Sequence, residues 1–129
     1  MSDCIFCDIV SGEKPAEVVF EDELTLAFMD AFPFSDGHTL VVPKHHAANI
    51  YGLQQPDADA VWHTTLHLAH GIRAALAPPG LSIRQANGRI ADQHILHFHI
   101  HLIPRYESGS RGDRAQIRDF AERIRRALV

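Results

Sequence analysis

The sequence predicts an α+β domain, an antiparallel sheet of about five strands with one long helix and a C-terminal helix. Two observations predict it. Short runs of β-type or alternating residues recur at 18–20, 24–30, 38–42, 81–85 and 95–103, the period-two signature of strands. The stretch 57–76 instead repeats its apolar residues at helical spacing, and a second such stretch ends the chain.

The elements follow in order. Within residues 1–12, Ile5, Phe6, Ile9 and Val10 present one apolar helical side, and Ser11-Gly12 breaks the turn. Val18-Val19-Phe20 is a short strand, followed by the acidic turn Glu21-Asp22-Glu23. From Leu24 to Asp30, Leu24, Leu26 and Phe28 alternate against Thr25, Ala27 and Met29. Pro33, Ser35, Asp36 and Gly37 supply turn chemistry between 31 and 37. His38 to Val42 is a third strand, stopped by Pro43 and followed by Lys44-His45-His46. Over 57–76, Val61, Thr65, Leu68, Ile72 and Ala75 form a stripe joined by Ala69 and Leu76. Asp57 and Asp59 suit the positive end of the helix dipole, and Pro78-Pro79-Gly80 ends it. His63, His67 and His70 lie on this helix and read as a solvated or partner-facing side. Leu81 to Gln85 is a strand, 86–92 a loop holding Asn87-Gly88, and 107–113 a polar link. Ile117, Phe120, Ala121, Ile124 and Leu128 define the final helix, about 113–128. One domain over 1–129 is expected, with its core in 4–105.

Composition narrows the function classes. Hydrophobic residues at 46% and charged residues at 22% describe an ordinary globular chain. A net charge of -4 carries no basic footprint for nucleic acid. No apolar run approaches the ~18 residues of a membrane span, and no basic-then-apolar leader is visible, so a cytoplasmic location is expected. In a reducing compartment Cys4 and Cys7 read as a metal or redox pair rather than a disulfide, and the missing βαβ context disfavours redox.

The chemistry concentrates in His97-Phe98-His99-Ile100-His101-Leu102. Alternation puts three imidazoles on one side of a strand and Phe98, Ile100 and Leu102 on a core side. At about 3.3 Å rise per residue, neighbouring imidazoles are rooted roughly 6–7 Å apart. Such a row suits an extended polar group such as a phosphate chain better than one metal ion, and neutral imidazole is a competent nucleophile near neutral pH. Cys4-x-x-Cys7 has zinc-ligand spacing but is half a tetrahedral site. His45, His46, His63, His67, His70 and His97 are candidates for the other half.

Taken together, several motifs point one way. They are the CxxC pair, Phe28-Met29-Asp30, the run Gly37-His38-Thr39-Leu40-Val41-Val42-Pro43-Lys44-His45-His46, and the triad running into Pro104-Arg105. Over roughly 4–105 the chain resembles the histidine-triad family of nucleotide-binding hydrolases and transferases, in particular bacterial-type members with an N-terminal CxxC. The resemblance implies that His99 attacks an α-phosphorus to form a covalent nucleotidyl-histidine. It implies that His101 binds phosphoryl oxygens and moves a proton, that His38 supports the triad by hydrogen bonding, and that Gln93 donates to a phosphate or bridging oxygen. The base would lie among Phe6, Ile9 and Phe28, with Asp30 on the ribose hydroxyls and His94 near the phosphate. A structural zinc would sit on Cys4, Cys7, His46 and His97; two thiols in a metal-free member are the alternative.

The family is usually dimeric through its long helix and a sheet edge, so a homodimer is expected. The third histidine favours hydrolysis, since the transferase branch carries glutamine there. The expected substrate is a purine nucleoside phosphoramidate or AMP conjugate. A dinucleoside polyphosphate hydrolase and a nucleotide-sensing module with little turnover are the alternatives, and a catalytic metal on two triad histidines ranks below both. The chain departs from the family pattern at Ala86 (commonly Asn), Asp92 (Gly) and His94 (a small hydroxyl residue), which makes this loop the expected seat of substrate choice.

Overall fold

A computed structural model describes residues 3–109 and 111–129. Met1 and Ser2, in the expected N-terminal turn, and Ser110, in the polar link, lie outside the described residues. The strands are β1 (Val18–Glu21), β2 (Thr25–Met29), β3 (Thr39–Pro43), β4 (Gly80–Arg84) and β5 (Ile100–Arg105). They form one antiparallel sheet in the order β1-β2-β3-β5-β4. Helices α1 (Ile5–Ser11), α2 (Gln55–Leu76) and α3 (Ile117–Ala127) complete the α+β architecture, with short 3-10 turns at Ile50–Gly52, Arg89–Ala91 and Arg114–Gln116.

Alternation along β2 feeds two separate cores. Ala27 and Met29 point with Val41, Phe98, Ile100 and Leu102 toward Val61, Leu68 and Ile72 of α2 and Ala121 and Ile124 of α3. Leu26 and Phe28 point the other way, joining Leu40, Val42 and Phe6 of α1. Each fully buried Leu, Ile or Phe contributes about 1.5–3 kcal/mol of transfer free energy. The large helices therefore carry one face, and the short α1 covers the face that bears the histidines.

Local chemistry sets the helix ends. Cys4 is the N-cap of α1, its Sγ accepting the Cys7 backbone N–H at 3.3 Å, and Gly12 closes the helix at φ 86. The cap makes Cys4 and Cys7 neighbours across one helical turn. Helix α2 starts at Gln55, earlier than the sequence reading placed it, because Pro56 fits the first turn, where no intrahelical N–H is needed. Asp57, buried near its start, pairs with His45 Nδ1 at 3.2 Å. Of the helix histidines, His67 packs edge-on against the Phe20 ring at 5.1 Å, while His63 and His70 are exposed. Among the described residues no helix is long and apolar enough to cross a membrane.

One expectation is corrected. The strand placed over 95–103 begins only at Ile100, so His97 and His99 precede it and His101 alone lies within it. The ladder ends on both sides: β5 pairs with β3 only as far as Val41↔Ile100, and with β4 only as far as Arg84↔His101. Beyond that point Pro43 has no N–H to give. The chain docks irregularly instead, with Phe98 N–H on Ala47 O at 2.7 Å and His97 Nε2–H on Pro43 O at 2.8 Å. The imidazoles therefore do not form a uniform row.

The turn into β3 depends on Gly37, which has φ 91 and whose absent Cβ would lie 2.5 Å from Leu76 Cδ1 and 3.3 Å from Pro104 Cγ. Left-handed strain and the clash together predict that Gly37→Ala lowers stability by roughly 1–3 kcal/mol. Urea denaturation checks this; an unchanged midpoint at unchanged slope would refute it.

Candidate active site

Four imidazoles at the open face of the sheet have their tautomers dictated by neighbours. A carbonyl can only accept, so His97 Nε2 carries the hydrogen bonded to Pro43 O, leaving a lone pair on Nδ1. By the same reasoning His99 Nδ1–H donates to His97 O at 2.7 Å, leaving the lone pair on Nε2. The Phe34 backbone N–H donates to His38 Nδ1 at 3.0 Å, so neutral His38 carries its hydrogen on Nε2. That hydrogen points at His101 Nδ1, 3.0 Å away. His101 is thereby left with Nε2–H, a donor, beside the lone pair of His99; the two rings are 4.9 Å apart.

Burial keeps these rings neutral. It pulls His38 and His101 each down to about 4, helped at His38 by Arg105 and Arg84 and at His101 by His99 and His38. Burial also lowers His99 and His97, opposed in each case by the hydrogen bond to a backbone carbonyl. Asp30, at the end of β2, accepts the Phe32 N–H at 2.8 Å and lies 3.5 Å from His38 Nε2. Burial raises its pKa, against the opposing pull of that N–H and of His101 and His99. Asp30, His38 and His101 could also be read as a metal group, but the hydrogen bond between the two rings accounts for their approach.

The histidines open into a groove of about 750 Å³. Its walls include Phe6, Ile9, Phe28, Asp30, His94, His99 and His101, seven of the residues singled out from the sequence. Phe6 meets the rings of Phe28 and His99 edge-on at 5.4 and 5.1 Å. Because β5 starts late, His94 is not turned away by strand alternation and lies on the groove wall. Gln93 is not brought there. Its amide is spent inside the loop, donating to Ala48 O at 2.6 Å and Ile95 O at 3.0 Å and accepting Gly88 N–H at 2.8 Å. Asp92 lines the groove with φ 73, a left-handed conformation more natural to glycine.

Residues the sequence reading missed also face the groove. Phe32 and Phe34 follow Asp30, and the Arg114 guanidinium stacks on the Phe32 ring at 4.4 Å. No periodicity marks Arg114, which lies in the 3-10 turn before α3 and reaches the groove only through the docking of that turn.

A second cluster adjoins the first. Cys4 Sγ lies 3.3 Å and Cys7 Sγ 3.5 Å from His97 Nδ1, Cys7 Sγ lies 3.4 Å from His46 Nδ1, and the two Nδ1 atoms are 3.3 Å apart. A tetrahedral ion bonded at about 2.3 Å to sulfur and about 2.0 Å to nitrogen separates nitrogens by about 3.3 Å and nitrogen from sulfur by about 3.5 Å. The four donors thus fit a metal ion without rearrangement. Without one, burial and the adjacent Cys4 thiol push Cys7 up to about 11. The charge of a bound cation would reverse that tendency.

Comparison with known proteins agrees with this layout. The family model described as the HIT domain matches residues 11–108. An uncharacterized HIT-like protein of Mycoplasma genitalium is 44% identical over 108 residues, 84% of this chain and 77% of that protein. The adenosine 5′-monophosphoramidase hnt1 of Schizosaccharomyces pombe is 41% identical over 102 residues, 79% of this chain and 74% of that one. The crystal structure of a zinc-bound histidine triad family protein from Mycobacterium smegmatis superposes with a TM-score of 0.91 at 33% identity, covering 98% of this chain and 93% of that one. With its residues 11–108 matched and its fold shared, the chain belongs to the HIT-domain family of histidine-triad proteins.

Proposed function

We propose that this protein is a nucleotidyl hydrolase that releases AMP, or another purine nucleoside monophosphate, from a phosphoramidate or related conjugate. The observation that carries the reading is the tautomer relay. It leaves a lone pair on His99 Nε2 and a hydrogen on His101 Nε2, side by side at an apolar groove. The similarity to an adenosine 5′-monophosphoramidase supports the substrate class.

The nucleoside lies in the groove with its base against Phe6, Ile9 and Phe28 and its ribose hydroxyls on the Asp30 carboxylate, which can accept from a vicinal diol. In the first half-reaction His99 Nε2 attacks the α-phosphorus. An N–P bond forms, the bond from phosphorus to the leaving nitrogen breaks, and the amine departs with its electron pair from the N-protonated form of the phosphoramidate, while the His101 Nε2–H donates to a phosphoryl oxygen. In the second, the water oxygen bonds to phosphorus, a water proton passes to a phosphoryl oxygen, and the N–P bond breaks to return neutral His99 and the nucleoside monophosphate, with the His101 Nε2–H held on the phosphoryl group throughout. The His97 carbonyl, by holding the His99 Nδ1 hydrogen, steadies the cation that forms on that ring. His38 keeps His101 in the tautomer that donates. Gln93 acts indirectly, by bracing the loop that carries Asp92 and His94.

Zinc is the proposed occupant of Cys4, Cys7, His46 and His97, as a structural ion that ties α1 and the segment after β3 to the residue whose carbonyl orients His99. The Pro43 carbonyl supplies the outer hydrogen bond that fixes a ligating histidine. A homodimer is proposed through α2 and the free edge of the sheet. Trp62 and Leu66 on α2 are 54% and 61% exposed, and Ile83 on the edge strand β4 is 44% exposed.

His99→Gly is expected to reduce release of AMP from adenosine 5′-phosphoramidate by at least a thousandfold while AMP binding stays within several-fold, and rapid quench of the wild type should trap an adenylyl-histidine. Full turnover in the variant would reject His99 as nucleophile. The acid limb of kcat/KM should lie below the ordinary histidine value of about 6.5, because burial lowers His99 and activity needs its neutral form. A rate that already falls between pH 8 and 7 would contradict this. Cys4→Ser should lose bound zinc by elemental analysis and melt at a lower temperature; unchanged zinc content would reject the four-ligand site.

A further inference from the structure

The strand order lays the site out as a track across the sheet. On the face covered by α1, β2 presents Phe28 and is followed directly by Asp30, and β3 presents Leu40. Next comes β5 with His101, which pairs with Leu40 in register. The last strand, β4, places Arg84 directly opposite His101. Directly opposed residues of an antiparallel pair share a face, with Cβ atoms about 4.5–5.5 Å apart. Arg84 therefore stands beside His101 on the side away from the nucleoside groove, on the edge strand of the sheet. Ser82 and Arg105 share this face, joined by Arg105 Nε–H on Ser82 Oγ at 3.0 Å. Among the described residues no carboxylate pairs with the Arg84 guanidinium. Its charge is nonetheless felt in the site, since it helps lower both His38 and His101.

We propose that Arg84 is a specificity-determining residue that binds an anionic leaving group, a phosphate or sulfate attached to the α-phosphorus, on the β4 side of His101. The inference rests on the hydrolase reading above and deepens it. With the nucleoside over α1 and β2 and the α-phosphorus at His99 and His101, the remainder of the substrate continues toward β4. An amine leaving group offers a guanidinium nothing to bind. A phosphate or sulfate offers a pair of oxygens that the planar guanidinium fork can bind together, as a lysine ammonium cannot.

Two measurements on the full-length protein test this. The first is the ratio of kcat/KM for diadenosine triphosphate, and separately for adenosine 5′-phosphosulfate, to that for adenosine 5′-phosphoramidate. Arg84→Ala should lower at least one of these ratios tenfold or more, and Arg84→Lys should recover part of the loss. The substrate whose ratio falls tells phosphate from sulfate. Equal ratios in wild type and Arg84→Ala for both substrates would overturn the proposal. The second is calorimetric binding of ADP and AMP to His99→Gly, with and without Arg84→Ala. The preference for ADP over AMP should shrink at least fivefold on removing Arg84, and an unchanged preference would overturn the proposal. A protein that binds these nucleotides but turns over none refutes the hydrolase reading, while the ADP-to-AMP ratio still decides Arg84.

Discussion

Every buried imidazole has two ring nitrogens to satisfy, and at this site the backbone satisfies one on each of three rings. Pro43 O takes the His97 Nε2 hydrogen, His97 O takes the His99 Nδ1 hydrogen, and Phe34 N–H fills the lone pair of His38 Nδ1. The other nitrogen of each ring is then committed: His97 to the cysteines, His99 to the groove, His38 to His101. Leaving a buried nitrogen unpartnered would cost on the order of 1–3 kcal/mol, and among the described residues no buried side-chain nitrogen or oxygen lacks a partner. His97 occupies the centre of this arrangement. Its ring joins the Cys4, Cys7 and His46 cluster, while its carbonyl holds the neighbouring His99. The two clusters are thus mechanically one, and the segment that breaks the strand is what allows it.

The irregular segment is supported from several sides. Helix α1 lays Phe6 against His97 and His99, edge-on at 5.9 and 5.1 Å, while its first turn presents both cysteines. Gln93 ties the loop to Ala48, and Phe98 ties it to Ala47. These contacts do the work that ladder hydrogen bonds do elsewhere in the sheet. They also explain why a short helix of seven residues matters: removing α1 would uncover Phe28 and Leu40 and take away half of the donor set.

The rim of the groove is set by residues outside the histidine arrangement. Asp92 and His94 border the groove on one side; Phe32 and Arg114 border it on another, and Arg114 lies beyond residues 11–108, the span of the family match. Asp92 adds negative charge close to where a phosphate would lie, whereas Arg84, across from His101, adds positive charge farther along. In the proposed reaction the histidines act at phosphorus, and the charges around them select the conjugate.

Much of this was legible in the order of residues. Period-two and period-3.6 patterns placed all five strands and the helices, because burial on a sheet face or helix stripe is a local rule. The motifs around His38, His97 and Cys4 placed the chain among histidine-triad proteins because their spacing is specific. Alternation, however, made the three histidines equivalent and extended their strand back to 95. Only the tertiary structure decided that β5 begins at Ile100, since that depends on where β3 and β4 run out of partners. It likewise decided that Gln93 faces inward, that Arg114 reaches the groove and that Arg84 stands opposite His101. Each is a relation between segments far apart in the chain, set by strand register and docking, and a periodic pattern carries no information about which distant group a side chain will meet.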